Sequence, residues 1–210
     1  MKKAIMEFIG TFFFVLTIIM TGNPIAIASM LMAWVYIGGY VSGGHYNPAV
    51  SLAVAISHHW HWMTFIKYMI AQVLGAFTAF MAAFFLTGKS ILTLTGEHVS
   101  YSQVFVMEAL LAFVLASVVL MVATSHKFRD SKVFGAAIGF TIPALALLGA
   151  PISGGIFNPA IILGSALSIF VKTGYIGWKI AALYIPAQLL GGALAACVFK
   201  YLNVDHNEKH

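Results

Sequence analysis

Charge is what this sequence has least of. Asp, Glu, Lys and Arg together make up 8% of its 210 residues, where a soluble domain carries about 25%. A chain so poor in charge and 61% hydrophobic cannot cover a folded surface with polar groups in water. That excludes a soluble protein and indicates an integral membrane protein in one compact domain, 1–210. Cysteine occurs once, as Cys197, which excludes an intrachain disulfide; in an apolar segment its expected role is packing. Arginine also occurs once, as Arg129. The alternating pattern of a membrane β-barrel is absent, so the apolar segments are helices and the fold class is all-α. Those segments hold no nucleophile beside a base and no cluster of metal ligands, so an enzyme, a metal site and a cofactor are not expected. The net charge of +5 comes from residues lying mostly between apolar segments. Membrane topology accounts for it better than a nucleic-acid partner does.

Six long apolar segments are present: 4–21, 25–41, 64–86, 101–124, 133–148 and 178–201. Each is near the roughly 20 residues that cross a bilayer. The first imitates a signal peptide, with Lys2-Lys3 ahead of it and Ala26-x-Ala28 after it. Its apolar run exceeds the usual core of about 7–15 residues and contains Glu7, so it reads as a retained span. Two further apolar pieces, 47–57 and 158–168, are too short to span. Each opens with Asn-Pro, an N-cap followed by the residue best suited to the first helical position. Each is therefore expected to be a half-helix that enters the membrane and turns back.

The chain uses one stretch twice. Ser42-Gly43-Gly44-His45-Tyr46-Asn47-Pro48-Ala49 recurs as Ser153-Gly154-Gly155-Ile156-Phe157-Asn158-Pro159-Ala160, 111 residues later. Glu7 opens Glu-x-x-Gly-Thr-Phe and Glu108 opens Glu-x-x-Leu-Ala-Phe; Ala71-Gln72-Val73-Leu74-Gly75 is echoed by Ala187-Gln188-Leu189-Leu190-Gly191. The repeats run over about 4–86 and about 101–202, with three spans and one half-helix apiece. Three is odd, so the second copy enters the membrane upside down, and such inverted repeats place a solute path near the midplane. Counting basic residues sets the orientation. With the N-terminus inside, the inner segments carry Lys2, Lys3, Lys67, Lys127, Arg129, Lys132, Lys200 and Lys209, and the outer ones Lys89, Lys172 and Lys179. Both termini are expected in the cytoplasm of a cell membrane, and the last residues from Asp205 to form a frayed tail.

Half-helices that meet at their N-termini bring two positive dipole ends to one spot, which repels cations. The side-chain amides of Asn47 and Asn158 can donate to a passing solute. Carbonyls of Gly43, Gly44 and His45, and of Gly154, Gly155 and Ile156, would line the approaches. Such a row of donors and acceptors between apolar walls passes water and small neutral solutes and leaves ions their hydration cost. His58-His59-Trp60-His61 reads as a solvated interfacial loop with an aromatic anchor rather than a metal site. His45 is expected to brace its loop. Gly10, Gly38-Gly39, Gly75, Gly135, Gly139 and Gly191-Gly192 are candidate sites of close helix approach.

Two Asn-Pro-Ala boxes on an inverted three-helix repeat resemble the aquaporin, or major intrinsic protein, family, over roughly residues 6–201. The resemblance implies a right-handed bundle of six transmembrane helices with two re-entrant half-helices, usually a homotetramer with one path per subunit. It implies that Glu7 and Glu108 accept hydrogen bonds from backbone N–H groups of the Gly-rich loops. Family members with narrow water filters have an arginine directly after the second box; here that position is Ile161. The other filter positions correspond to Ile27, Ala146 and Gly155, so the constriction is expected to be apolar and free of arginine. Gly155 also stands where the family is often mercury-sensitive, so mercury block is not expected. Ala166 and Tyr184 resemble the water-selective branch, and Ile185 the glycerol branch. The solutes implied are water, glycerol, urea, ammonia and hydrogen peroxide. Three readings stay open at this point: a passive channel, a coupled secondary transporter, and a packing protein with a closed path.

Overall fold

The computed structural model describes residues 1–58, 60–88, 99–125, 128, 132–175 and 178–203. The connections around 89–98 and 126–131, with Lys89, Lys127 and Arg129, lie largely or wholly outside these residues. So do His59 and the expected tail with Lys209. Among the described residues there are eight α-helices and no strand: α1 Lys2–Thr21, α2 Pro24–Gly38, α3 Pro48–Ser57, α4 Trp62–Thr87, α5 Tyr101–Val119, α6 Phe134–Ser153, α7 Pro159–Thr173 and α8 Trp178–Asn203.

The boundaries follow local chemistry. Gly22 ends α1 in the left-handed conformation and returns its N–H to the Ile18 carbonyl. Asn23 then caps α2, accepting from the N–H groups of Ile25 and Ala26, with Pro24 at the first helical position. Ser100 and Gln103 form a reciprocal capping box at the start of α5. The last turn of that span is a π-helix, Leu120–Thr124.

Among the described residues, five helices are long and apolar enough to cross a membrane: α1, α4, α5 with its π-helical extension, α6 and α8. The second expected span is shorter than its apolar run suggests. α2 has 15 residues and ends at Gly38, because the chain passes through Gly39 into tight turns that lead to the first motif. In the other direction, α7 runs past the expected end at 168 to Thr173, where Gly174 closes it in the left-handed region.

α1 lies along α4, and α5 lies along α8 in the same way. Glycine permits both contacts: a Cβ on Gly75 would meet the backbone of Phe8, and one on Gly191 that of Ala109. The short helices cross between the halves. α3 packs chiefly against α8 and α7 chiefly against α4, so neither half can form its full core alone. Cys197 departs from its expected packing role. It is exposed, because α8 turns its neighbours Ala195 and Ala196 to the interior instead.

Candidate functional site

Each motif loop is built around a buried carboxylate. Glu7 accepts four hydrogen bonds: from Ser42 Oγ at 2.6 Å, His45 N–H at 3.0 Å, Tyr46 N–H at 2.7 Å and Gln72 Nε2 at 2.8 Å. Glu108 accepts the matching four, from Ser153 Oγ at 2.6 Å, Ile156 N–H at 3.0 Å, Phe157 N–H at 2.7 Å and Gln188 Nε2 at 2.6 Å. Both carboxylates are fully buried. An extended loop at this depth has no strand to satisfy its N–H groups, and the carboxylate takes that role. Tyr68 and Tyr184 complete the pattern, donating to the carbonyls of Ser42 and Ser153 at 2.7 and 2.8 Å.

The two loops then close on each other. Tyr46 and Phe157, the residues just before the asparagines, have φ of 49° and 35°. A left-handed conformation at a bulky residue costs on the order of 1–3 kcal/mol. Those residues supply the carbonyls that join the two loops. Asn47 Nδ2 donates to the Phe157 carbonyl at 2.8 Å, and Asn158 Nδ2 donates to the Tyr46 carbonyl at 3.0 Å. Each asparagine also caps its own helix, through Oδ1 to the Ala49 N–H at 2.8 Å and the Ala160 N–H at 3.0 Å. A side-chain amide has two N–H donors. One of each pair joins the loops, and the second has no protein partner among the described residues.

Three cavities follow one another through the bundle. The first has a volume of about 510 Å³ and is bordered by Gly43, His45, His58 and Trp60 together with the π-helical turn. The third, of about 530 Å³, is bordered by Gly154, Gly155 and Ile156, and also by Ile27, Ala146 and Ile161. Between them lies a neck of about 10 Å³ that contains Asn47 and Asn158. The cavities share walls. His45 and Val119 border both the first cavity and the neck, while Phe14, Ile142 and Phe157 border both the neck and the third cavity.

The structure places Asn47 and Asn158 together in the neck, and Ile27, Ala146, Gly155 and Ile161 together around the third cavity. Pro48, Ala49, Pro159 and Ala160 are buried behind the asparagines at the helix starts. His45 is hydrogen-bonded through Nδ1 to Ser51 Oγ at 3.1 Å. The Trp60 ring stacks on His45 with centroids 5.3 Å apart and meets Tyr68 edge-on. Sequence reasoning missed the walls of the neck. Phe14 and Leu115 stand seven residues after Glu7 and Glu108, two turns along the same helix face. That spacing was the available signal, hidden in the run Phe12-Phe13-Phe14.

An all-helical bundle in which two short helices abut at their N-termini, with a cavity on either side, defines a membrane protein of the channel type. The family model described as Major intrinsic protein matches residues 1–199. The chain belongs to that family, a family of channels rather than enzymes, and is an integral, multi-pass membrane protein. It is 30% identical to Nodulin-26 of Glycine max over 95% of this chain and 77% of the relative. It is 30% identical to glycerol uptake facilitator protein-like 6 of Lactiplantibacillus plantarum over 93% of this chain and 95% of that one. Probable aquaporin TIP5-1 of Arabidopsis thaliana is 34% identical over 92% of this chain and 81% of its own. In fold, the chain is similar to the aquaglyceroporin from Plasmodium falciparum, with a TM-score of 0.78, covering 99% of this chain and 96% of that one at 18% identity.

Proposed function

We propose that the protein is a passive channel for water and small uncharged solutes, and that the three cavities are its path. The observation that carries this is the pair of asparagines in the neck, each with one amide N–H beyond those that join the loops. A solute with a lone pair can accept from both as it passes, and two helix N-termini at the same spot oppose a cation.

In this reading the Asn-Pro-Ala boxes are the centre of the path. Carbonyls of Gly43, Gly44, His45, Gly154, Gly155 and Ile156 line its approaches. Ile27, Ala146, Gly155 and Ile161 form an outer apolar ring without arginine. Glu7 and Glu108 support the loops. Their four hydrogen bonds each leave little capacity for a coupling ion or proton, which argues against a secondary transporter. The chain is one domain of two inverted repeats, about 4–86 and about 101–202, with both termini cytoplasmic in a cell membrane and four copies assembled. Water is the first solute proposed; ammonia, peroxide, urea and glycerol are the candidates beside it. Names of relatives point to both water and glycerol.

Light scattering of vesicles holding the purified protein tests the reading. Osmotic shrinkage faster than in empty vesicles, and independent of ion gradients, is expected. Rates equal to empty vesicles for every solute would leave the alternative that the small neck favours, a packing protein with a closed path.

A further inference from the structure

We infer that solutes are sorted at the neck between the two motifs, not at the ring of Ile27, Ala146, Gly155 and Ile161, and that the neck passes only water-sized species. This inference rests on the channel reading above.

The four ring residues all border the cavity of about 530 Å³, which is ample for a glycerol or a urea. The neck has about 10 Å³, close to the least room, about 10–15 Å³, that holds one water. Its walls are buried side chains from both halves of the chain: Phe14 and Leu115 on the carboxylate-bearing helices, Val35 and Ile142 on α2 and α6, and Phe157 beside the asparagines. They belong to the continuous core, so they cannot step aside without repacking it. Phe14, Ile142 and Phe157 border both the neck and the larger cavity; they form the step where the path narrows.

The chemistry sorts in the same direction. Beside the two asparagine amides, the neck is lined by Gly44, His45 and Tyr46, and elsewhere by apolar side chains. A water or an ammonia can exchange its partners for those donors. A glycerol brings three hydroxyl groups, and a urea two amino groups, more than the few polar groups of so small a space can pair. The ligand class is therefore small hydrides with a lone pair, and polyols and amides are excluded by both volume and unmet hydrogen bonds.

The test compares the intact protein with Phe14→Ala and Ile142→Ala in vesicles, measuring water, ammonia, glycerol and urea entry. Ile19→Ala, which enlarges only the wide cavity, is the comparison. The wild type should pass water and ammonia faster than empty vesicles, with glycerol and urea at the empty-vesicle rate. Either neck variant should raise glycerol entry by roughly tenfold or more, the scale on which a methylene or two changes selection in an apolar site. Ile19→Ala should leave glycerol at the empty-vesicle rate. Two neck positions guard against one variant failing to fold. Wild-type entry of glycerol at a rate comparable to water would overturn the inference and leave the channel reading standing. So would glycerol entry gained by Ile19→Ala and by neither neck variant. No solute passing at all would overturn both.

Discussion

The Asn47 side chain donates to the Phe157 carbonyl 2.8 Å away, across the join between the two halves of the chain. Asn158 returns the bond to the Tyr46 carbonyl. Each asparagine thus caps its own helix, holds the opposite loop, and keeps one N–H for the neck.

Removing that side chain should cost all three roles together. Asn47→Ala loses an N-cap worth about 1 kcal/mol and leaves the buried Phe157 carbonyl unpaired, a further 1–3 kcal/mol or so. Asn158→Ala should behave alike, given the matching bonds. Thermal unfolding in detergent is expected to shift down by a similar amount for both, and water entry into vesicles should fall. Unchanged water entry in both variants would contradict a central role for the amides.

The carboxylates answer a different question. Glu7→Gln and Glu108→Gln keep size and shape but place an NH2 group against two of the four donors around each carboxylate. Each variant should lose on the order of 1–3 kcal/mol, seen as a lower melting temperature and a lower yield of folded protein. A Gln variant that melts like the wild type but loses a proton-coupled flux would show a relay rather than a brace.

Tyr46 is held by two missing side chains. A Cβ on Gly10 would meet its ring, and a Cβ on Gly38 its hydroxyl. Gly38→Ala should therefore destabilise by about 1–3 kcal/mol through overpacking. Tyr46→Phe removes the obstructing hydroxyl, at the loss of its bond to the Trp34 carbonyl. The double variant should be more stable than the sum of the two single effects, a coupling readable from a double-mutant cycle in thermal unfolding.

Ile161 stands buried on the wall of the wide cavity, at the position directly after Ala160. Ile161→Arg would place a guanidinium there. Any cation leak should fall, because a fixed positive charge joins the two helix ends. In the wild type those ends act without it, and a pH-sensitive dye in vesicles should record proton entry no faster than in empty ones. Fast proton entry would show that helix dipoles alone do not exclude cations here.

The membrane class, the all-helical fold and the repeated motif were legible in the sequence, because each depends on local rules. Low charge rules out water as solvent, Asn-Pro starts a helix, and a repeated string repeats its structure. The partners of Glu7 and Glu108 were legible only through the family resemblance. Other features were not legible at all. α2 ends at Gly38 within an apolar run that continues to Val41, because the turn into the motif outweighs hydrophobicity. Trp60 stacks on His45 and meets Tyr68 edge-on.

By itself, then, the sequence determined which two residues share the neck: Asn47 and Asn158, each at the start of a short helix after its own Gly-rich loop. Tertiary structure alone decided how much room is left where they meet. The neck is walled by Phe14, Leu115, Val35 and Ile142 from four different helices, and its width depends on how closely those helices approach. Glycines at the crossings set that approach, through contacts between residues far apart in the chain. No local rule encodes such a distance, because it is the sum of all the packing around it.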